Sequence, residues 1–192
     1  RHQERLVLRT VGLRDIGIDR LHQGADRLRA DLRVLALERG KVRADTGINC
    51  AGKISIGPAS ISDAHPHGAL TVAQVIQKSS NVGTAKIALG FQPKEMWEMF
   101  DSVGFGQAPN LGFPGEVNGR LRPWKNWRPI EQVTMSYGHG VSVSLIQLAR
   151  AYAIFARDGE TVPLTLIRSD EPPAHGVRVF SPQTAREIRV ML

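Results

Sequence analysis

The sequence predicts a mixed α/β (α+β) fold in which helices outweigh a few short strands. Two stretches carry that expectation. In "SLIQLARAYAIFARDG" apolar residues return every three or four positions, so that Leu148, Ala151, Tyr152 and Phe155 share one helical face. In "KISIGPASISD" Ile54, Ile56 and Ile61 alternate with small or polar residues around Gly57-Pro58, which reads as two strands and a turn. With 192 residues, 42% of them apolar, the chain can build one domain with a sizeable core.

Residues 1–33 form an atypical Arg-rich segment with no Lys, Ser, Pro, Asn or aromatic residue, whereas 34–192 have the composition of an ordinary globular domain. Across that boundary "DRLHQGADRLRADLRVLALERG" is a helix candidate through its leucines, closed by Gly40. After the two strands, "LTVAQVIQKS" places Val72, Val75 and Ile76 on one helical stripe, and "VGTAKIAL" resumes that character. "PKEMWEMFDSVG" opens with Pro93 at a first helical position, lines up Met96, Met99, Phe100 and Val103, and closes at Gly104. "FGQAPNLGFPGEVNGRLRPWKNWRP" has no sustained period and reads as a long ordered loop pinned by its aromatic side chains. Ser144 caps the helix already described, and Gly159 ends it. "TVPLTLI" and "VRVF" suggest strands, and "SPQTAREIRVML" is a helix capped by Ser181 with Pro182 at its first position. The start at Arg1 and a last helix without a stop signal predict a piece of a longer protein.

The net charge of +7 is unevenly held. Residues 1–43 carry eleven basic and six acidic side chains and no Phe, Tyr or Trp; residues 44–192 carry fourteen and twelve. A local excess without interleaved aromatics speaks against nucleic-acid binding and for a solvated basic segment. The single cysteine, Cys50, excludes an internal disulfide and a cysteine-based zinc site. No run approaches the roughly 20 apolar residues of a membrane span, and no signal peptide is visible.

Three polar constellations stand out. Ser79-Ser80-Asn81 interrupts two apolar-periodic segments. In a continuous helix Ser79 would share the inward stripe of Val72 and Ile76, and a hydroxyl and carboxamide so placed suit a proton relay and a clamp on an amide. The same residues also suit a helix N-cap. "DAHPHG" offers Asp63, His65 and His67, but Pro66 and Gly68 imply a turn and further metal ligands are wanting. In "SYGHGVSVS" Gly138 and Gly140 flank His139, permitting close backbone approach or positive φ.

Together, "DAHPHGALTVAQVIQKSSNVGTAKIAL", "MWEMFDSVGFG", "LGFPGEVNGRLRPWKNWRPIEQVTMSYGHGVSVSLIQLARAYAIFARDG" and "VFSPQTAREIRVML" closely resemble the transpeptidase domain of class B penicillin-binding proteins. The resemblance runs from about Val34 to Leu192 and is strongest to the septal, cell-division members of Gram-negative bacteria. A β-lactamase or β-lactam sensor matches the long loop and the 136–156 stretch less well. The resemblance implies a five-stranded antiparallel sheet covered by helices, of which this chain holds mainly the helical part and an incomplete sheet. It implies a serine acyl-enzyme that cross-links peptidoglycan stem peptides, is acylated by β-lactams, needs no cofactor or metal, and works at the periplasmic face of the inner membrane. Cell-division proteins are implied partners.

Three motifs build that family's site: S-x-x-K, S-x-N and K-T-G. Ser79-Ser80-Asn81 matches the second, which implies proton relay by Ser79 and a hold on the substrate amide by Asn81. Tyr137, Gly138 and His139 would then line the substrate cleft. No serine is followed by lysine three residues later, and no Lys-Thr-Gly occurs. Counting back from "LALERGK", the expected serine and lysine fall at Asp26 and Arg29, which can supply neither an acylated hydroxyl nor a base. An inactive chain is therefore expected, with residues 1–33 derived from a shifted frame or a fusion. The rival expectations are a scaffold for cell-division partners and a functionless remnant, and uncovered apolar faces predict a marginal, aggregation-prone product.

Overall fold

The computed structural model describes residues 32–112, 114–167 and 175–192. The first described helix, α1, covers 32–38. It ends in a left-handed Gly40 (φ 63°). There the Lys41 N–H reaches Ala36 O at 2.9 Å and the Gly40 N–H reaches Leu37 O at 2.9 Å, the paired bonds of a glycine C-terminus. The upstream part of the expected helix, with Asp26 and Arg29, lies outside the described residues.

Four short strands follow in two separate antiparallel pairs. β1 (Gly47–Asn49) pairs with β4 (Ala69–Thr71), Ile48 opposite Leu70. β2 (Lys53–Ile56) and β3 (Ala59–Ser62) form the hairpin expected around Gly57, which turns with φ 59° and sets Ile54 opposite Ile61. Period-two alternation turns Ile54, Ile56 and Ile61 inward, and they pack with Ala85 and Val133 in a small satellite cluster.

The helices run α2 (Val72–Gln77), α3 (Asn81–Ala88), α4 (Pro93–Ser102), α5 (Pro129–Met135), α6 (Leu145–Ala156) and α7 (Pro182–Met191). Each start has a local cause. Thr71 and Gln74, then Ser144 and Gln147, form reciprocal capping boxes, and Ser181 caps α7 ahead of Pro182. Their apolar stripes meet in one core, where Phe100 stacks on Phe105 at 6.1 Å and Phe155 on Phe180 at 5.8 Å between ring centres.

The structure departs from the sequence expectation in three places. α5 and the β1–β4 pair are additional elements. "TVPLTLI" and "VRVF" meet only in an isolated bridge of Glu160 with Arg178, because Gly159 and Thr161 bond back to Val179 and Val177 without extending a ladder. The long loop contains one 3-10 turn, Trp124–Asn126, and is tied by the bridge of Arg120 with Ser142. Finally, of the two readings left open for Ser79-Ser80-Asn81, a continuous helix and a helix start, the structure has the second. The chain breaks at Ser79, which is left-handed (φ 52°), so Ser79 does not continue the Val72–Ile76 stripe.

The long loop is pinned as expected by Phe105 and Trp127, both buried, and also by Gln147, whose amide nitrogen faces the carbonyls of Gly104, Gln107 and Asn118. Among the described residues no helix is long and apolar enough to cross a membrane.

Candidate functional site

The break between α2 and α3 builds the site. α2 closes with the Ser79 N–H on Ile76 O and the Ser80 N–H on Val75 O, each at 3.1 Å. The next residue able to start a helix is Ser80, which is wholly buried. Its hydroxyl accepts from the Gly83 N–H at 2.9 Å, so Ser80, not Ser79, is the cap of α3. The cap is therefore one residue of the tripeptide and the two candidate site residues are the others. Ser80 serves the helix, while half-buried Ser79 and Asn81 stand on either side of it.

Two outside groups fix Ser80. Its hydroxyl donates to Asp63 Oδ2 at 2.6 Å, and Asp63 Oδ1 accepts the Val82 N–H at 3.0 Å. On the other side the Thr84 hydroxyl donates to Ser80 O at 2.7 Å and accepts from Arg33 Nη2 at 3.0 Å. Arg33 and Thr84 are both buried. A polar chain thus runs from α1 through the first turn of α3 to the end of β3. Sequence reading missed Asp63 in this role, and Arg33 and Thr84 entirely. The only local signal was the bend of "DAHPHG", which opens with a carboxylate.

Asn81 is the first residue of α3, and its Nδ2 donates to Ser62 O at 3.2 Å. Its Oδ1 is buried with no hydrogen-bond donor in reach. This carboxamide oxygen is thus a buried acceptor that the described fold leaves unsatisfied.

α5 packs on α3 and carries the 137–139 stretch. It begins at Pro129, and Glu131 caps it in reverse, accepting the Arg128 N–H at 2.8 Å and Arg122 Nη2 at 3.0 Å. Those two bonds hold the Glu131 carboxyl down at about 2. Beyond α5, Gly138 and Gly140 are left-handed (φ 91° and 101°), and the His139 N–H returns to Thr134 O at 2.9 Å. Tyr137 is half-buried and joins the satellite cluster of Ile61, Ala85 and Val133, beside the β3–α3 junction. His139 is exposed. Among the described residues no group of three or more His, Cys, Asp or Glu side chains is placed to hold a metal ion. Asp63, the carboxylate of the H-x-H turn, is engaged with α3.

This arrangement of helices and paired ribbons is similar to that of solved penicillin-binding proteins. The transpeptidase domain of Burkholderia pseudomallei penicillin-binding protein 3 matches with a TM-score of 0.83 and 52% identity over 87% of this chain and 51% of that one. The fold is that of a penicillin-binding-protein transpeptidase domain, mainly helical and with a small, incomplete sheet. The family model described as penicillin binding protein transpeptidase domain matches residues 32–192, and the chain belongs to that family. Among similar curated proteins, the probable peptidoglycan D,D-transpeptidase PenA of Neisseria flavescens is 43% identical over 157 residues, 82% of this chain and 39% of that protein. Peptidoglycan D,D-transpeptidase FtsI of Escherichia coli is 37% identical over 157 residues, 82% of this chain and 26% of that protein. The chain thus spans well under half the length of these relatives.

Proposed function

We propose that residues 34–192 are part of a peptidoglycan D,D-transpeptidase domain that keeps the S-x-N part of a serine acyl-transfer site and lacks its nucleophile. In the parent reaction a serine attacks the D-Ala–D-Ala carbonyl, D-Ala leaves with a proton, and the acyl group passes to an amine of a neighbouring stem peptide. Ser79 hands on that proton and Asn81 holds the amide of the stem peptide, with Tyr137, Gly138 and His139 along the cleft. The parent enzyme works at the periplasmic face of the inner membrane, at the division septum, on stem peptides and β-lactams. The reading is carried by one observation: Asn81 keeps a buried, unsatisfied carbonyl oxygen in a chain with no Ser followed three residues later by Lys. Incubation with a fluorescent penicillin is expected to leave the chain unlabelled. A covalent adduct on any residue would overturn the proposal.

Residues 1–33 are, in this proposal, foreign to the domain. The family match covers residues 32–192, so of residues 1–33 only Leu32 and Arg33 fall within it. Another frame of the coding DNA should contain an E-P-G-S-x-x-K-like run upstream of Val34; its absence would refute a frame shift.

A second reading, a scaffold for cell-division proteins, is favoured by the apolar rim of Val117, Leu145, Leu166 and Ile167, all strongly exposed. Binding to a purified division protein that is abolished by Leu145→Asp would support it. The same exposed side chains are expected to make the isolated chain prone to aggregation.

A further inference from the structure

We infer that Asp63 is the positioning residue of the S-x-N turn, which it sets from outside the motif. The inference rests on the functional reading above for what the turn does, but on geometry alone for what Asp63 does. A left-handed non-glycine residue is strained and persists only where its neighbours over-determine it. Ser79 has such a conformation, with φ 52°. Its neighbours are tied down on both sides. α2 holds the Ser79 and Ser80 N–H groups through Ile76 O and Val75 O.

On the other side the anchor is the end of β3. Asp63 accepts the Ser80 hydroxyl at 2.6 Å and the Val82 N–H at 3.0 Å, and Ser62 O takes the Asn81 carboxamide at 3.2 Å. One carboxylate therefore binds the residues before and after Asn81. Ser80, wholly buried, cannot turn to solvent for another acceptor. The negative charge also lies at the N-terminal end of α3, where the helix dipole favours it. Without Asp63 the buried Ser80 hydroxyl and the Val82 N–H lose their acceptors together. The turn is then held only by the closing bonds of α2 and by Ser62 O, and the Asn81 carboxamide loses the flanking anchors that fix it on both sides.

The test uses the full 192-residue chain, ¹⁵N-labelled, as wild type, Asp63→Asn, Ser80→Ala and Glu38→Gln. Glu38→Gln is the control for lost stability alone, since Glu38, at the end of α1, bonds to Ser181 at the start of α7. In Asp63→Asn the Asn81 side-chain amide resonances are expected to move and the Val82 and Gly83 amides to exchange about tenfold faster. Amides of 148–156 should stay as in wild type. Should Asp63→Asn fail to fold, Ser80→Ala removes the 2.6 Å contact and the Gly83 N–H cap while leaving Asp63 on the Val82 N–H, and must move the Asn81 resonances and quicken Gly83 exchange more than that of Val82. Unchanged Asn81 signals in the folded variant, or changes equal to those of Glu38→Gln, would overturn the inference.

Titration with diacetyl-L-lysyl-D-alanyl-D-alanine separates the two claims. If wild type binds this peptide, Asp63→Asn is expected to weaken binding about tenfold below the unfolding temperature, whereas Glu38→Gln should not. Equal affinity in wild type and Asp63→Asn would refute the positioning role. If wild type does not bind while the Asn81 signals of Asp63→Asn still move, the functional reading fails and the positioning role stands.

Discussion

The Glu38 carboxylate, at the end of α1, caps α7 from 143 residues away: it accepts the Ser181 N–H at 3.0 and 3.1 Å and the Ser181 hydroxyl at 3.0 Å. Partial burial pushes its carboxyl up, but hydrogen bonds from Thr184 and Ser181 outweigh this and leave it below its ordinary value of 4.5. A depressed carboxyl stabilises the fold fully above its unfolded value and loses that contribution as pH falls through the folded one. Glu38→Gln should therefore destabilise at neutral pH by about 0.5–1 kcal/mol, a modest figure because the side chain is exposed and screened. Urea unfolding at pH 7 and pH 3 checks this, since the gap between the two proteins must shrink at the lower pH.

Glu131 carries the stronger acid dependence. The Arg128 N–H, then the Arg122 guanidinium, hold its carboxyl near 2 against an ordinary 4.5. Its stabilisation is present above about 4.5 and disappears as pH falls toward 2. Acid titration followed by tryptophan fluorescence should show wild type unfolding within that window. Glu131→Gln should lose less stability across it and be the weaker protein at pH 7. Parallel curves for the two proteins would contradict the assignment.

What the sequence made legible were the local signals. Ser144, Ser181-Pro182 and Gly57-Pro58 each act within four residues, and each starts or turns the chain where its chemistry requires. The interruption at 79–81 was visible, but that Ser79 turns left-handed and Ser80 is the cap was hidden, because apolar spacing persists across it from Val72 and Ile76 to Val82 and Ala85. α5 was hidden because seven residues offer barely two turns of period behind a Trp-rich loop. The expected strands at 161–167 and 177–180 alternate correctly but find only a single bridge, since a ladder depends on a partner as well as on a pattern. Asp63 was beyond reach for a related reason: nothing near it in the chain says that its acceptors meet Ser80, 17 residues on.

Gln147, in the first turn of α6, is the polar side chain that ties down the long loop. Buried at 2% exposure, its amide nitrogen serves Gln107 O and Asn118 O at 2.7 Å and Gly104 O at 3.3 Å, while its Oε1 takes the Ser144 N–H at 2.7 Å. Gln147→Leu keeps the volume and strands those carbonyls and the cap, so a loss of about 2–4 kcal/mol is expected. Limited proteolysis gives the local check: cleavage between 105 and 119 should quicken far more than cleavage elsewhere. Uniformly faster cleavage would mean that Gln147 supports the fold at large and not this loop.

Gly83 offers the sharpest packing test. A Cβ there would lie 2.6 and 2.8 Å from the two methyl carbons of Val75 and 3.0 Å from the Cys50 sulfur. α2 and α3 approach each other across that contact, and no L side chain fits without moving one of them. Gly83→Ala should cost about 1–3 kcal/mol by overpacking, despite alanine's better helix propensity. Val75→Ala should cost about 1–3 kcal/mol through the space it leaves. In the double variant the alanine methyl enters the volume vacated by Val75, so the combined loss should be smaller than the sum of the two. Strictly additive losses in a double-mutant cycle would show that the helices separate on substitution, with the steric contact playing no part.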